Sequence, residues 1–418
     1  MDLTHNKGIL ILIEDANNQN LWESQKRELI EIARSAGLEI LEVVKCRVKH
    51  PFYRYYIGKG KVQEIREFLK ENPSINFTLF SVEITPSQQR NLEETWEVPV
   101  YTKDEIIHEI FAQRAHTAQG KIKVELAKLR YKLSRLTGKG NQLSRLGGGI
   151  GTRGPGEQKI EVERRKIRDR ITFLRRTLKT IEKQMEIQRS SRLQKGIPQI
   201  AIVGYTNAGK STLFNVLTRS QVYVESRMFA TLDPTAKRGY ISGIGEVIFI
   251  DTVGFIRTMP PTIKEAFRAT LEEIKEADLI LEIIDIADPD YRFHFQTIHE
   301  TLREIGLQEY PRIIVFNKID LLPNLPFIDS ELRNNYPHAF ISAKNKINLD
   351  ALIEKISLCL QPLMSYVSIE IEYSKLPLVE REIYHQGYIK NVKPTSPERI
   401  LLECFVRKEA LPRIRALL

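Results

Sequence analysis

The apolar positions of the first 110 residues follow two alternating spacings. Short unbroken apolar runs, typical of buried strands, are separated by segments in which apolar residues recur every three or four positions, as in amphipathic helices. The predicted strands are Gly8–Ile13, Glu39–Val48, Ile75–Val82 and Val98–Tyr101, and the predicted helices are Leu21–Ala36, Val62–Leu69 and Pro86–Trp96. Alternation of strands with helices indicates an α/β domain with a mostly parallel sheet.

Residues 111–196 carry a heptad pattern instead. The seam residues are Ile122, Leu126, Leu129, Leu133 and Leu136, then, after a glycine-rich break, Ile160, Ile167, Ile171, Leu174, Leu178, Ile181 and Met185. Two such helices joined by one loop predict an antiparallel coiled-coil hairpin. The loop, residues 147–157, holds six glycines, more than a hairpin turn requires. It is either a flexible tip or a bare backbone surface that presses against a ligand such as RNA.

Beyond residue 196, buried-strand runs alternate with helices again, and each of several strands ends in a polar motif. Residues 363–418 combine strands at Ser368–Tyr373 and Arg399–Arg407 with a helix at Leu376–His385. The sequence therefore predicts a multi-domain α/β chain of four parts. These are an N-terminal α/β domain (1–110), a helical hairpin (111–196), a second α/β domain with a mixed sheet (197–362) and a small C-terminal α+β domain (363–418).

Charge changes this picture more than composition does. The net charge is +10 over 418 residues, but Phe111–Lys195 alone holds 23 basic and 7 acidic residues. A positive element among acidic neighbours favours a polyanionic partner, with nucleic acid first. The three cysteines lie far apart and no apolar run is long enough to span a bilayer, which predicts a cytoplasmic protein without a membrane span.

The strongest candidate site begins after the strand Ile200–Val203. The segment G-x-x-x-x-G-K-S follows it directly and leads into a helix, the context in which backbone amides cradle phosphates. Lys210 is expected on the β- and γ-phosphates, and the Ser211 hydroxyl on Mg²⁺. The motif and its extension comprise Gly204, Tyr205, Thr206, Asn207, Ala208, Gly209, Lys210, Ser211 and Thr212.

Three further strand ends carry nucleotide-binding signals. The D-x-x-G motif supplies a carboxylate for the water shell of Mg²⁺ and an amide for the γ-phosphate. In N-K-x-D, a carboxylate accepts two hydrogen bonds from N1–H and N2–H₂ of guanine, which adenine cannot offer, so the nucleotide is GTP. The residues concerned are Asp251, Thr252, Val253 and Gly254, then Asn317, Lys318 and Asp320, and finally Ser342, Ala343 and Lys344.

Between the first two motifs lies a threonine-containing segment with Phe229, Ala230 and Thr231. A GTPase needs a threonine here to close over Mg²⁺ and the γ-phosphate, and Thr231 is the first candidate, with Thr235 in reserve. Lys210, Thr231 and Gly254 are thus the expected catalytic residues, and a second switch is predicted at Gly254–Glu276, with a helix at Thr262–Glu276. Phe255 stands where many GTPases have the glutamine that orients water, so we expect slow intrinsic hydrolysis.

Taken together, GYTNAGKST, FATLDPT, DTVGF, NKID, SAK and GGGIGTRGPGE resemble the HflX family of ribosome-associated GTPases, in the Obg–HflX group. The resemblance runs from about Lys7 to Lys344, and the last fifty or so residues carry no matching motif. It implies a GTPase that binds the large ribosomal subunit and, with GTP, splits stalled or stressed ribosomes. Ribosome-stimulated hydrolysis would then release it. We further expect a monomer that requires Mg²⁺, with a Ras-like mixed sheet in the P-loop GTPase domain (197–362). Ser211 and Thr231 fall on the family's Mg²⁺ ligands, and Phe255 also fits the group.

RNA contact is expected through the hairpin and its loop. The candidate residues are Arg145, Gly148, Gly149, Arg153, Arg164 and Arg165. Two other functions stay open at this point. One is a GTPase that assembles the large subunit. The other is an RNA-binding or remodelling protein in which GTP only regulates.

Overall fold

The computed structural model describes residues 6–14, 22–143, 155–194, 197–220, 228–229, 231–232, 234–265, 273–307, 309–324 and 336–417, with the side chains of 6, 137–143, 155–159 and 185–194 excepted. Two compact units emerge. The first comprises Met1–Ile181 with Arg227–Phe229 and Thr258–Phe267, and the second comprises Glu182–Ser226, Ala230–Arg257 and Arg268–Leu418. Within the described residues no helix is long and apolar enough to cross a bilayer.

The first unit contains a four-stranded parallel sheet of order β2-β1-β3-β4. Its strands are β1 (Asn6–Glu14), β2 (Leu38–Arg47), β3 (Phe77–Phe80) and β4 (Val100–Thr102), and its helices are α1 (Trp22–Ser35), α2 (Lys59–Glu71), α3 (Pro86–Trp96) and α4 (Lys103–Arg114). Thr85 begins α3 with a reciprocal capping box to Gln88, and Thr102 begins α4 in the same way with Glu105. The observed strands and helices match the predicted alternation, with α4 as an addition.

The basic region forms the long helices α5 (Ala118–Leu143) and α6 (Pro155–Gln194). Apolar side chains of the two helices pack into one cluster whose buried members are Leu126, Leu136, Ile167, Ile171 and Leu174. On α6, charged side chains lie on the other faces, and Arg165, Lys166, Arg175 and Arg176 are all exposed. The seam is therefore structural, while the outer faces present the positive charge.

The second unit is built around a six-stranded sheet of order β10-β9-β8-β5-β7-β6, parallel except for β6. Its strands are β5 (Gln199–Gly204), β6 (Thr235–Ile241), β7 (Gly245–Asp251), β8 (Leu279–Asp285), β9 (Arg312–Asn317) and β10 (His338–Phe340), and its helices are α7 (Lys210–Thr218), α8 (Tyr291–Glu304) and α9 (Leu349–Leu360). The carboxyl ends of β5, β7 and β9 carry the motifs singled out above. For the predicted helix Thr262–Glu276, residues 261–265 are helical and Glu273–Glu276 is a 3₁₀ turn, while 266–272 lie outside the described residues.

The C-terminal residues form an antiparallel sheet of order β11-β13-β12 covered by helices on one face. The elements are β11 (Met364–Glu372), α10 (Leu376–Gln386), β12 (Gly387–Pro394), β13 (Arg399–Arg407) and α11 (Leu411–Leu417). Two of these, β12 and α11, were not predicted from the sequence. Arg407 anchors this sheet to the preceding one, because its Nη2 donates to Asp278 Oδ1 at 3.0 Å.

His108 of α4 gives the first unit a predicted sensitivity to acid. Its side chain is buried, and its Nε2 lies 2.9 Å from Thr262 Oγ1. Burial, assisted by the charge of Lys128, lowers the pKa of His108 to about 4. Unfolding lets the ring take up a proton between pH 6.5 and 4, so the contribution of His108 to the free energy of unfolding should fall as the pH drops through that window, by on the order of 3 kcal/mol. Burial raises the pKa of Asp104 in the same helix to about 7, and this carboxyl group acts in the opposite direction.

Both tryptophans, Trp22 and Trp96, belong to the first unit, so urea unfolding followed by their fluorescence measures this effect. The pH dependence of stability in a His108→Gln chain between 6.5 and 4 should differ from that of the unaltered chain by this contribution, whereas the exposed His50→Gln should keep the unaltered dependence. An unchanged dependence in His108→Gln would contradict the assignment.

Candidate nucleotide site

The loop after β5 turns sharply between strand and helix. A Cβ atom at Gly204 would overlap the Ile283 carbonyl oxygen, and one at Gly209, whose φ is +96°, would overlap Asn317 Nδ2. Only glycine fits at these two positions. The loop ends at the N-terminus of α7, where Lys210 is buried and its Nζ donates to the Tyr205 carbonyl oxygen at 2.8 Å. Backbone amides and a buried ammonium at a helix N-terminus form a cradle suited to phosphate.

Three side-chain oxygens converge beside this loop. Ser211 Oγ lies 2.7 Å from Thr231 Oγ1 and 2.7 Å from Asp251 Oδ2, and Thr231 Oγ1 lies 3.0 Å from the same carboxylate oxygen. The other carboxylate oxygen of Asp251, Oδ1, is buried and has no hydrogen-bond partner. Clustered hydroxyl and carboxylate oxygens with an unsatisfied buried oxygen form the donor set that a hard divalent cation prefers.

The electrostatics of this cluster follow from burial. Desolvation lowers the pKa of Lys210 to about 8, while Asp251 opposes that shift. Desolvation raises the pKa of Asp251, and Lys210, Ser211 and Thr231 oppose the rise. The opposite charges of Lys210 and Asp251 thus each oppose the shift that burial causes in the pKa of the other. In the described residues, no group of three or more His, Cys, Asp or Glu side chains is arranged as a metal site.

The residues after Asp251 are fastened to the phosphate loop. Thr206 N donates to the Phe255 carbonyl at 2.8 Å, and Phe255 N donates to the Gly204 carbonyl at 3.1 Å. Gly254 sits so close that a Cβ atom there would lie 2.8 Å from Lys210 Nζ. The Phe255 ring is buried in an apolar cluster with Tyr205. It therefore packs in the core, and its backbone makes the polar contacts.

Asn317 connects the end of β9 to both neighbouring loops. Its Nδ2 donates to the Ala208 carbonyl at 2.9 Å, and its Oδ1 accepts from Ala343 N at 2.9 Å. Lys318 adopts a positive φ of 67° and pairs with Asp285 Oδ2 at 2.7 Å. This one amide thereby connects the phosphate loop to the Ser342–Lys344 loop.

The predicted residues differ in where the structure puts them. Ser211, Thr231, Asp251, Gly254 and Asn317 come together as described. Phe229 is buried against Phe111, with ring centroids 4.9 Å apart, and groups with the first unit. Five predicted residues lie outside the described residues, namely Arg145, Gly148, Gly149, Arg153 and Ala230.

Of the two hairpin arginines that are described, one serves the hairpin itself. Arg164 Nη2 donates to the Leu136 carbonyl at 2.9 Å, and its Nη1 lies 3.4 Å from Glu161. Arg165 is exposed. Further along α6, Arg170 pairs with Glu125 at 2.7 Å, whereas Arg175 and Arg176 are exposed.

Two polar residues near the site were not predicted from the sequence. Asp285, the partner of Lys318, is the last residue of the apolar strand β8. The other motifs were recognised as polar residues at the ends of apolar strands, and the same pattern would have identified Asp285. His294 of α8 stacks on Tyr205 with ring centroids 3.7 Å apart, and only the tertiary structure brings these rings together.

The phosphate loop after β5, with Asp251 and Asn317 at the carboxyl ends of β7 and β9 in the same sheet, defines a P-loop GTPase. Family models match three successive segments of the chain. "GTP-binding GTPase N-terminal" matches residues 23–112, "GTP-binding GTPase Middle Region" matches 114–192 and "50S ribosome-binding GTPase" matches 199–318.

Curated relatives identify the family. The chain is 46% identical to GTPase HflX of Caldanaerobacter subterraneus, over 84% of this chain and 81% of that protein. It is 38% identical to GTPase HflX of Chlamydia pneumoniae, over 96% and 86% of the respective chains. Among solved structures, a GTP-binding protein from Sulfolobus solfataricus in complex with GDP covers 86% of this chain and 99% of its own, at 25% identity and a TM-score of 0.46. The chain belongs to the HflX family of GTPases, and it binds and hydrolyses GTP.

Proposed function

We propose that this GTPase is a Mg²⁺-dependent switch that binds the large ribosomal subunit and, in its GTP state, separates stalled or stressed ribosomes into subunits. The observation that carries the switch is Thr231, whose hydroxyl lies within 3.0 Å of both Ser211 Oγ and Asp251 Oδ2. A threonine held on the phosphate loop by these contacts closes one side of the site and is released when they are lost. The family model named for 50S binding supports the ribosomal target.

The residues divide the work of hydrolysis. Backbone amides of 207–211 and the Lys210 ammonium hold the phosphates, and Gly254 presents its amide to the γ-phosphate. Mg²⁺, when bound, neutralises charge that develops on the phosphates. Ser211 and Thr231 would ligate it directly and Asp251 through a water molecule, in keeping with the unsatisfied Oδ1 of that carboxylate.

The buried ring of Phe255 cannot orient the attacking water, so the chain needs a partner to complete the site. We therefore expect slow turnover by the chain alone and faster turnover with large ribosomal subunits. Because contacts between basic side chains and phosphates release counterions, this stimulation should fall steeply as the salt concentration rises. Full-speed turnover without a partner would refute the proposal.

The exposed arginines of α6 provide the sharper test. Replacing Arg165, Arg175 and Arg176 with Gln should lower the stimulation and flatten its salt dependence, without changing basal turnover. The matched control replaces Arg381, Lys408 and Arg415, which are exposed in the C-terminal domain. Equal effects of the two triple variants would contradict a hairpin contact.

Two further results would favour the alternative functions. Association with precursors rather than mature ribosomes would favour an assembly role, and subunit separation by a chain that cannot bind GTP would favour RNA remodelling.

Gly254→Ala tests the γ-phosphate contact. The added Cβ would lie 2.8 Å from Lys210 Nζ and from Thr206 Cγ2, so the peptide must shift. A displaced amide should cost at least about tenfold in stimulated turnover, since small misplacements at reacting groups are expensive. GDP lacks the γ-phosphate, so its affinity should stay nearly unchanged. A parallel loss of GDP binding in fluorescence titration would indicate a general collapse of the loop instead.

A further inference from the structure

The loop between β2 and α2 presents two aromatic rings to solvent. Residues 49–54 are all exposed, and the side chains of Phe52 and Tyr53 are 57% and 83% exposed. Large rings usually bury most of their surface, so adjacent exposed rings indicate an interaction surface. We call residues Phe52–Tyr56 the aromatic tip.

The aromatic tip is held rigidly rather than left loose. Phe52 and Tyr56 exchange two backbone hydrogen bonds of 2.9 Å each, which closes a tight loop. From α3, Gln88 Nε2 donates to the Phe52 carbonyl at 2.8 Å and Asn91 Nδ2 donates to the Arg54 carbonyl at 2.9 Å.

The base of the loop is anchored in the core of the first unit. Tyr55 and Tyr56 pack against the apolar cluster that contains the buried Ile57. Because the backbone of the loop is already fixed, ordering it on binding costs little conformational entropy, which favours recognition by stacking.

The charge around the aromatic tip selects the kind of partner. Residues 49–61 contain Lys49, Arg54, Lys59 and Lys61 and no acidic residue. The Arg54 guanidinium lies 5.1 Å from the Tyr55 ring centroid, and Lys61 pairs with Glu64 of the adjacent helix at 2.6 Å. An aromatic surface interleaved with positive charge is complementary to bases joined by phosphates, whereas an apolar peptide would need no cations.

We propose that Phe52 and Tyr53 form a stacking platform for unpaired bases of single-stranded RNA, with Arg54 and the neighbouring lysines on its phosphates. This second RNA contact lies on the N-terminal α/β domain and goes beyond the GTP switch and the hairpin surface. Duplex RNA is a poor ligand because its bases already stack on one another. Stacking on aromatic rings tolerates any base, so the platform should show little sequence preference.

The test uses the full chain and a short labelled oligouridine, which stays unpaired, in fluorescence anisotropy without nucleotide. Phe52→Leu and Tyr53→Leu keep an apolar side chain but remove the ring. Each should weaken binding by roughly fivefold or more, given the usual strength of base–aromatic stacking. Phe52→Tyr and Tyr53→Phe keep the ring and should bind like the unaltered chain. Tyr240→Leu, which alters an aromatic side chain 59% exposed in the second unit, is the matched control.

Two results would overturn the proposal. One is oligouridine binding that the leucine variants leave unchanged. The other is an equal loss on duplex RNA or on phosphatidylserine vesicles, which would indicate non-specific or membrane contact. The binding measurements involve neither GTP nor ribosomes, so their failure would not count against the proposed switch. Likewise, a lack of ribosomal stimulation of GTP turnover would not count against the stacking platform.

Discussion

Asp320→Asn should exchange the nucleotide preference of this GTPase from guanine to xanthine. We propose that the Asp320 carboxylate accepts hydrogen bonds from N1–H and N2–H₂ of guanine. An amide in its place opposes one of these donors with its own NH₂ group. Leaving such groups mismatched in a binding site costs orders of magnitude in affinity, so GDP and GTP binding should fall at least about a hundredfold. Xanthine offers a carbonyl oxygen at the same position, which matches the amide.

We expect this substitution to change base recognition without disturbing the surrounding turn. Asn317 and Lys318 hold the neighbouring backbone through Ala208, Ala343 and Asp285, so the turn itself does not depend on the Asp320 carboxylate. Titration with fluorescent GDP and xanthosine diphosphate measures the exchange. Asp350→Asn, at an exposed position in the first turn of α9, is the control and should bind GDP normally. Normal GDP affinity in Asp320→Asn would show that another group recognises the base.

The site was accessible to sequence reasoning because its chemistry sits at the ends of buried parallel strands. Uninterrupted apolar runs mark β5, β7 and β9, and their carboxyl ends meet at one edge of the sheet. The polar residues that follow each run are therefore neighbours in space. The sequence therefore predicts that Ser211 and Asp251 lie close together. Thr231 needed the additional argument that a switch must close over the same edge.

Elements without a one-sided pattern were harder to predict. In α4, Ile106, Ile107, His108, Ile110 and Phe111 are all buried, so the helix lacks the polar face that signals an amphipathic helix. The edge strand β6 is mostly exposed and polar. In β12, a bulge between Ile389 and Asn391 interrupts the alternation of faces. Phe229 could not be assigned from the chain alone, because its burial depends on a partner ring more than a hundred residues away.

Arg312→Met should be among the most damaging substitutions outside the nucleotide site. Glu282 lies in the middle of β8 and is completely buried, 3.7 Å from Arg312 Nη1 and 3.2 Å from His299 Nε2. Arg312 is itself buried, and its Nη2 donates to the Leu307 carbonyl at 2.7 Å. Neither carboxylate oxygen of Glu282 has a hydrogen-bond partner in the described residues, so removing the guanidinium leaves a buried carboxylate with His299 as its remaining ion-pair neighbour. Breaking a buried pair in this way costs about 3–5 kcal/mol of the free energy of unfolding.

The double variant Glu282→Leu with Arg312→Met distinguishes the uncompensated charge from simple loss of packing. With both charges gone, the desolvation penalty disappears too, and stability should recover to within about 1–2 kcal/mol of the unaltered chain. Thermal unfolding followed by circular dichroism compares the three chains, with Arg303→Met, on the exposed side of α8, as the control. If the double variant were as unstable as Arg312→Met alone, the guanidinium would stabilise the sheet through its contacts with Leu307 and its packing rather than by neutralising Glu282.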